Sequence, residues 1–238
     1  DFCYNEGLKE YVAYLNKDKT PMDEVISFDG EDSGIKVDIA LQYCAKDYGE
    51  SIYSYANNVR TRDGGTHESG FKMGITKAVN DYATENQLIR GKIKLEGSDI
   101  REGLTAIISL KIPEQMLQYE GQTKQKLGTP EAVAIVSNFI YNNMTYYLNE
   151  HKEFAVSLVK KCIDAQNARI AARKAKDEAR STKKAKVEMI LSDKLTPAHP
   201  KDYDKNELFI VEGESAGGTA RKGRNRIYQA ILPLRGKP

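Results

Sequence analysis

The chain has 238 residues, of which 40% are hydrophobic and 8% aromatic, enough to bury a core and too many for a globally disordered protein. Lys and Arg total 36 and Asp and Glu 34, so the net charge of +2 carries no information about nucleic acid binding. At about 100–200 residues per domain, the length predicts one or two domains.

The cysteines and the hydropathy of the chain narrow the class of protein further. Cys3, Cys44 and Cys162 are odd in number, far apart and outside any CxxC pair, which argues against a disulfide framework or a zinc site and fits a reducing cytoplasm. No apolar run approaches the ~20 residues of a membrane span, so no membrane partner is expected. The chain opens with Asp1 rather than Met, and we expect both ends to be cuts within a longer protein.

The first part of the chain predicts a strand, a helix and a turn. Residues 1–20 fit a short strand followed by a helix, which Thr20-Pro21 ends. The polar, glycine-containing residues 28–34 fit a loop or a hairpin turn. The apolar stripe of the helix consists of Leu8, Tyr11, Val12, Tyr14 and Leu15.

Three segments then predict strands. Residues 35–43 and 104–112 alternate apolar and polar side chains, the period-two pattern of a strand with one buried face, and Pro113 ends the second. Residues 51–56 are rich in β-forming side chains and are the expected antiparallel neighbour of the first strand.

Helical spacing marks the segments between and after these strands. A turn-forming loop, residues 62–67, leads into a helix for which Thr66 is the expected N-cap. A second helix begins at Thr129-Pro130, a capping hydroxyl followed by proline in the first turn. The predicted buried side chains are Phe71, Ile75, Val79 and Tyr82 in the first helix and Val133, Val136, Ile140, Met144 and Tyr147 in the second.

The last third of the chain changes character. A long helix begins near Glu153, and its apolar face (Phe154, Leu158, Cys162 and Ile163) fades after Ile170. A proline-containing connection, residues 195–200, leads to residues 207–211, a continuous apolar run that predicts a short buried strand. Strands and helices alternate throughout, which predicts an α/β or α+β fold.

The segment after that strand is the first candidate site. Glu212 would project from the carboxyl end of the strand into the crevice where α/β sheets bind ligands. Glu212 and Glu214 together can share a hard cation such as Mg²⁺, and the glycines at 213, 217 and 218 allow a phosphate or backbone to approach. An ordinary strand-to-helix connection with solvated glutamates fits the same pattern.

The second candidate is the loop Gly121-Gln122-Thr123-Lys124. A lysine on a glycine-preceded loop can bind a phosphate as a point charge, and a solvated loop lysine is the simpler interpretation. The histidines His67, His151 and His199 are scattered and form neither a metal cluster nor part of a Ser-His-Asp arrangement.

Cationic side chains form the third candidate. Residues 169–186 are dominated by Lys and Arg, with only Asp177 and Glu178 opposing them, which fits sequence-independent phosphate contacts or a solvated helix face. A second group is spaced around glycines and resembles a phosphate-tracking loop, which favours it over the helix. Its members are Arg221, Lys222, Arg224, Arg226, Arg235 and Lys237.

In chain order, these motifs resemble those of the ATPase subunit of bacterial type IIA DNA topoisomerases. The matching segments are Phe2-Cys3-Tyr4-Asn5-Glu6-Gly7, Asn57-Asn58 with Arg62-Asp63-Gly64-Gly65-Thr66-His67, Arg101-Glu102-Gly103-Leu104, Gln122-Thr123-Lys124-Gln125-Lys126-Leu127, residues 211–218 and residues 229–237. Residues 120–124 and 191–198 are more similar to the B subunit of topoisomerase IV than to gyrase B.

The resemblance implies a domain order and a fold. Residues 1–20 would end a GHKL-type ATPase domain, and residues 21–190 would form the transducer domain with its long basic helix. Residues 191–204 would be a linker, and residues 205–238 the truncated start of a Toprim α/β domain. The transducer fold would be a two-layer α/β (α+β) sandwich of the kind found in the second domain of ribosomal protein S5.

Site roles follow from the same resemblance. Gln122, Thr123 and Lys124 would lie on the loop that reaches the ATP site of the preceding domain, with Lys124 on the γ-phosphate, where positive charge stabilises a transferring phosphoryl group. Glu212 would be the Toprim glutamate, a Mg²⁺ ligand or general acid/base when DNA is cut and religated. Arg62 would line the cavity that the transported duplex crosses.

The remaining DNA contacts are implied for Lys237 and Arg235 near that metal and for Lys222, Arg224 and Arg226. The cofactors would be ATP and Mg²⁺. The partners would be DNA and an A-type subunit carrying the catalytic tyrosine in an A2B2 heterotetramer, with B-subunit dimerisation on ATP binding, in the cytoplasm and associated with the nucleoid. Some features depart from the family: Glu214 stands where Asp is common, Pro238 replaces a β-branched residue, and the other metal carboxylates would lie beyond it.

Three alternatives stay open on the sequence. Gyrase B, which supercoils DNA, shares the same motifs. A non-catalytic coupling or DNA-binding module of a mismatch-repair or chaperone ATPase would share the transducer fold but not residues 212–218. Another Toprim enzyme, such as a primase or nuclease, would leave residues 1–190 unexplained.

Overall fold

The structure is a computed structural model that describes residues 7–89, 94–199 and 203–235, without the side chains of residues 181–193 and 203. The chain divides into two compact units, residues 1–169 and 170–238. The predicted strand at the start of the chain lies outside the described residues. The elements in chain order are α1 (Leu8–Leu15), β1 (Ile26–Asp32), β2 (Ile35–Tyr43), β3 (Ser51–Ala56), β4 (Val59–Arg60), α2 (Thr66–Glu85), α3 (Gly97–Ile100), β5 (Leu104–Lys111), β6 (Tyr119–Glu120), β7 (Lys126–Leu127), α4 (Glu131–Glu150), α5 (Lys152–Lys194), β8 (Glu207–Glu212), α6 (Gly213–Gly223) and β9 (Gln229–Leu234).

A five-stranded sheet of order β1-β2-β5-β3-β4 forms the first unit. All its pairings are antiparallel except β3 with β5. The prediction that residues 51–56 pair with residues 35–43 is therefore wrong, because β5 lies between them. The chain leaves β3 through α2 and returns as β5, and such a helical crossover brings the second strand back parallel to the first.

The hairpin between β1 and β2 resolves the alternatives for residues 28–34. Ser33 and Gly34, with φ of 51° and 78°, form its tight turn, as two-residue hairpin turns require. Residues 28–32 belong to β1 itself, although Asp29 and Gly30 are poor strand formers. Pairing with the strongly alternating β2 along its length overrides their local preference.

The core lies between the sheet and helices α2 and α4. Ile35, Val37, Ile39 and Leu41 of β2 all enter it, as their alternation predicts, together with buried side chains from β5 and the start of α5. The two helices cross closely: a Cβ at Gly70 would lie 2.5 Å from the carbonyl oxygen of Val133. The predicted α2 face (Phe71, Ile75, Val79, Tyr82) is buried, as are Val136, Ile140 and Met144 of α4, whereas Val133 and Tyr147 are half-buried.

Helix α1 covers part of the opposite face of the sheet. Val12 packs against Ala40 of β2 and Ile107 of β5, two residues whose neighbours along each strand face the main core. The architecture is thus a two-layer α/β sandwich with one short helix on its second face. This mixed α/β class agrees with the prediction.

Two predicted helix caps are wrong. The N-cap of α2 is Gly65 rather than Thr66, which is the first helical residue. The hydroxyl of Thr129 does not cap α4; it donates to the carbonyl of Met116 (3.0 Å) and accepts from the amide of Gln118 (3.1 Å). In the first case Gly65, at the cap position, bridges Leu127, and in the second Thr129 binds the preceding loop; the local pattern reveals neither contact.

The second unit contains a parallel pair, β8 and β9, with α6 between them in the chain. Gly217 of α6 is buried against Pro233 of β9. The prediction of a buried strand at residues 207–211 is wrong in its burial, because Leu208, Phe209 and Ile210 are 56%, 44% and 61% exposed. The described sheet has only these two strands and one packed helix, too little to cover both faces.

A glycine joins the hairpin of β6 and β7 to the start of α2. Gly65 bridges Leu127, and a Cβ on Gly65 would lie 2.3 Å from the carbonyl oxygen and 2.5 Å from the amide nitrogen of Leu127. Gly65 has φ 133° and ψ −159°, a region that only glycine adopts readily. The amide of Leu127 donates to the carbonyl of Gly64 (3.1 Å), and the Leu127 side chain is buried.

Gly65→Ala is therefore expected to lower the free energy of unfolding of the first unit by about 2 kcal/mol or more, from backbone strain and the displacement of Leu127. Urea unfolding of this chain measures the change. The control is Gly49→Ala, where the nearest atom to a new Cβ is 3.7 Å away and the backbone is ordinary. Equal stability of the two variants would contradict the close approach at Gly65.

His67, in the first turn of α2, predicts a pH dependence. It is fully buried, its Nε2 lies 3.1 Å from Thr61 Oγ1, and burial lowers its pKa from 6.5 to about 4. Between pH 4 and pH 6.5 the unfolded chain therefore binds a proton at this histidine that the folded chain does not. The free energy of unfolding accordingly falls as the pH falls from 6.5 towards 4.

Lowering the pH from 7 to 5 is expected to reduce the free energy of unfolding by about 2 kcal/mol through this histidine. Urea unfolding of the wild type and His67→Gln at both pH values isolates the contribution, since the variant lacks it. His151→Gln is the matched control, because it removes a histidine that is exposed rather than buried. An identical pH dependence in wild type and His67→Gln would refute the effect.

Candidate functional site

The loop that carries Gln122, Thr123 and Lys124 is the tip of the hairpin formed by β6 and β7. All three side chains are exposed, while the base of the hairpin is fixed. At that base, Tyr119 pairs with Leu127, and the Tyr119 hydroxyl donates to the carbonyl of Ala56 (3.0 Å). A rigid base thus presents a polar tip to solvent.

Within this tip, Lys124 has the left-handed φ of 55°, uncommon for a residue with a side chain. Its Nζ lies 5.9 Å from the centre of the Tyr119 ring. Lys126 differs from Lys124, because it pairs with Glu120 across the hairpin (2.8 Å), and this hydrogen bond raises the pKa of Lys126. Only Lys126 of these two cations has a carboxylate partner among the described ion pairs.

The structure brings Arg62 next to this hairpin. Arg62 is exposed in the loop before α2, and the following amide, of Asp63, donates to the carbonyl of Gln125 (3.0 Å). The Arg62 loop and the Lys124 loop are therefore joined by backbone hydrogen bonds at Asp63 and Gly64. The sequence motifs flagged both loops but gave no sign of their contact.

A buried polar cluster supports the Arg62 loop from below. Ser54 Oγ lies 2.8 Å from Thr61 Oγ1 and also donates to Glu68 Oε2 (3.3 Å). Glu68 pairs with Lys72 (2.8 Å), which reaches Glu50 (3.3 Å). Sequence reasoning missed these residues; the signal was a serine in the middle of a β-forming run.

The strand-to-helix turn at Glu212 exists as predicted, with α6 starting at Gly213, where φ is 76°. Glu212 is exposed, and its cross-strand partner is Leu234, so Arg235 follows at the same carboxyl edge of the parallel pair. The structure therefore brings Glu212 and Arg235 to one edge, where ligands of α/β sheets bind. Lys237 lies outside the described residues.

The fit of Glu212 to Mg²⁺ is partial. An exposed carboxylate at this edge has the oxygen donors that Mg²⁺ takes, usually one or two carboxylates completed by water or phosphate. Glu214 instead pairs with Arg221 (3.7 Å). Among the described residues, no group of three or more His, Cys, Asp or Glu side chains is placed to hold a metal ion.

The cationic side chains of the second unit fall into two groups, those that are exposed and one that binds backbone carbonyls. Lys222 and Arg226 are exposed, as a phosphate contact requires. Arg224 is a structural residue: its Nη1 donates to the carbonyls of Thr196 (3.0 Å), Pro197 (2.8 Å) and Gln229 (2.7 Å). It holds residues 196–197 against β9, a role that its place in a basic run did not reveal.

The long helix α5 also contains a cation with a structural partner. Residues 171–180 are exposed, which agrees with the predicted loss of the apolar face after Ile170. Arg169, the first residue of the predicted basic stretch, instead binds the buried carboxylate of Asp99 through two hydrogen bonds, of 2.8 and 2.9 Å. No helix in the described part of the chain is both long enough and apolar enough to cross a membrane.

The chain is similar to known proteins over most of its length. The family model described as DNA gyrase B matches residues 7–178. The B subunit of DNA topoisomerase 4 from Bacillus subtilis (strain 168) is 55% identical over 238 residues, 99% of this chain and 36% of its own length. Its counterpart from Staphylococcus aureus (strain MRSA252) is 56% identical with the same coverage, so the chain spans about a third of the length of these relatives.

Two solved structures share the fold. The 43K ATPase domain of Thermus thermophilus gyrase B superposes with a TM-score of 0.68 at 31% identity, over 74% of this chain and 47% of that one. The topoisomerase IV ATP binding domain of Francisella tularensis gives a TM-score of 0.62 at 26% identity, over 71% and 45%. Because the family model described as DNA gyrase B matches most of this chain, and because the chain is similar to these relatives, it belongs to the DNA gyrase B family.

Proposed function

We propose that this chain works as part of the B subunit of topoisomerase IV, an ATP-dependent type II enzyme that unlinks and relaxes DNA by passing one duplex through another. The observation that carries the proposal is the identity of 55%, over 99% of the chain, with the B subunit of DNA topoisomerase 4 from Bacillus subtilis. The candidate site adds chemistry suited to that function, with an exposed lysine on a fixed hairpin and an exposed carboxylate at a sheet edge.

In this proposal, ATP binds mainly to residues outside this chain, and Gln122, Thr123 and Lys124 complete its site. Lys124 contributes a positive charge at the terminal phosphate, where a lysine stabilises the charge of phosphoryl transfer. Because the base of the hairpin is fixed to Gly65, the N-cap of α2, a shift of the tip on nucleotide binding reaches α2 through backbone contacts. ATP then biases one arrangement of the protein over another by its differential affinity.

At the second site, Glu212 contributes one oxygen ligand to Mg²⁺, or serves as general acid/base, while DNA is cut and rejoined. When bound, the metal supplies charge stabilisation for the phosphodiester oxygens. Lys222, Arg226, Arg235 and Lys237 contact the DNA backbone, and Arg62 faces the transported duplex. Glu214 stays paired with Arg221 and orders the first turns of α6.

The partners in this proposal are DNA and the A-type subunit that carries the catalytic tyrosine, in an A2B2 assembly whose B subunits dimerise on binding ATP, in the cytoplasm at the nucleoid. Gyrase B is the second candidate, because the family model is described as DNA gyrase B and the Thermus thermophilus gyrase B domain shares the fold. Supercoiling of relaxed plasmid by the full complex would favour that alternative.

Lys124→Ala in the full-length protein is expected to reduce ATP turnover at least about 100-fold, the scale of a lost phosphate-stabilising group. Its thermal unfolding should match the wild type, because the side chain is exposed. Lys126→Ala is the matched control from the same hairpin, and it should retain turnover. Normal turnover in Lys124→Ala would sink the assignment of Lys124 to the phosphate.

Glu212→Gln is expected to reduce DNA cleavage by the full complex by about 100-fold or more, since the amide cannot supply the charged metal ligand or the proton transfer. ATP hydrolysis should continue at the wild-type rate, because the two sites use different residues. Glu214→Gln is the control two residues away. Cleavage retained in Glu212→Gln and lost in Glu214→Gln would transfer the role to Glu214.

A further inference from the structure

Helix α5 is attached to the first unit up to Arg169 and exposed over residues 171–180. On the attached side, Cys162 is buried, and Gln166, 8% exposed, donates from Nε2 to the carbonyl of Lys94 (3.0 Å). After Arg169, Ile170 is 52% exposed and residues 171–180 are all exposed. The first compact unit also ends at Arg169. Among the side chains of α5 that the structure describes up to residue 180, Arg169 is thus the last that anchors the helix on this unit.

The anchor is a two-pronged ion pair with a buried acid. Arg169 Nε lies 2.8 Å from Asp99 Oδ1 and Nη2 lies 2.9 Å from Oδ2, while Nη1 reaches Glu96 (2.9 Å). Asp99 is 3% exposed. A bidentate guanidinium–carboxylate pair fixes direction as well as distance, and removing one partner leaves the buried charge without compensation.

Asp99 binds both α5, through Arg169, and the turn α3. Its Oδ2 also accepts the amide of Glu96 (3.0 Å), the reciprocal cap that forms the single turn α3. Arg101 follows that turn and donates to Glu50 (2.7 Å). Burial opposes the charged form of Glu50, but Arg101 and Lys72 outweigh it and lower the pKa of Glu50.

From Glu50, contacts continue to the hairpin that carries Lys124. Lys72 joins Glu50 (3.3 Å) to Glu68 (2.8 Å), and Glu68 stands in the first turn of α2. The N-cap of that helix is Gly65, which bridges Leu127 at the base of the hairpin. An unbroken series of polar and backbone contacts therefore links the hairpin to the end of the attached part of α5.

We propose that Arg169 is a positioning residue: through its pair with Asp99 it fixes the attached part of α5 on the first unit, and so transmits the state of the Lys124 hairpin to this helix. The inference rests on the proposed function, because it supplies the mechanical output of ATP binding. It assigns no catalytic role to Arg169, which contacts neither Lys124 nor Glu212.

The experiment uses the full-length protein with its A-type partner, ATP and Mg²⁺, and measures the number of linked DNA circles separated per ATP hydrolysed. Arg169→Gln and Asp99→Asn are expected to hydrolyse ATP within about twofold of the wild type but to separate about tenfold fewer circles per ATP, within the 5–150-fold range of allosteric couplings. The double variant should be no worse than either single variant, because both remove one interaction.

Two comparisons separate positioning from simple stabilisation. Arg173→Gln, one turn later and 82% exposed, should behave as wild type, and Arg169→Lys should recover part of the ratio because it keeps the charge but not the two-pronged geometry. If loss of the pair only reduced the amount of folded enzyme, both rates would fall by one factor. An unchanged number of circles per ATP in Arg169→Gln would overturn the inference.

Hydrogen exchange decides the inference independently of DNA unlinking. In the full-length protein, a non-hydrolysable ATP analogue is expected to change exchange in residues 166–180 of the wild type and of Arg173→Gln, but not of Arg169→Gln. Wild-type protein that unlinks no circles but shows this pattern would reject the proposed function and retain the inference. The same exchange response in Arg169→Gln as in wild type would reject the inference.

Discussion

The first unit depends on a backbone contact that leaves no space for a side chain. Gly65 precedes the first residue of α2 and forms a β-bridge with Leu127. A Cβ on Gly65 would overlap the Leu127 backbone. This contact fixes the base of the hairpin that carries Lys124, and it brings the Arg62 loop against the same hairpin. Only glycine tolerates both the dihedral angles and the approach, and backbone hydrogen bonds at Asp63 and Gly64 hold the two candidate loops together.

A series of polar contacts within the unit connects that junction to α5. Helix α2 runs from Gly65 across the sheet, and its charged face joins Glu50, Arg101 and the turn α3. Asp99 then ties this turn to Arg169 on α5. Tightly packed interiors respond to a small displacement by moving whole elements, so the phosphate contact proposed for the hairpin tip would act on α5 through this series of contacts.

The strongly periodic parts of this fold could be predicted from the sequence. The alternation of β2 and β5 and the helical stripes of α2, α4 and early α5 correspond to buried faces. The pairing of β3 was mispredicted, because a local pattern contains no information on which strand lies between two others. The exposure of Leu208, Phe209 and Ile210 was mispredicted because an apolar run shows what can be buried rather than what covers it.

The candidate site was predicted as separate motifs and not as an arrangement. Lys124, Arg62 and Glu212 were found because glycines flag loops, but the contact between the first two loops depends on long-range hydrogen bonding. Arg169 and Arg224 make contacts that the sequence did not reveal, since a guanidinium in a basic run gives no sign of the buried carboxylate or carbonyls that it binds.

The most direct test of the account is an assay of the full-length protein with its A-type partner, Mg²⁺ and ATP on linked DNA circles and on relaxed plasmid. The account predicts ATP-dependent unlinking without supercoiling. Supercoiling would instead favour gyrase B, with the same residue roles. No change in DNA topology, with both proteins folded and ATP present, would contradict the account and favour a coupling module that does not pass DNA.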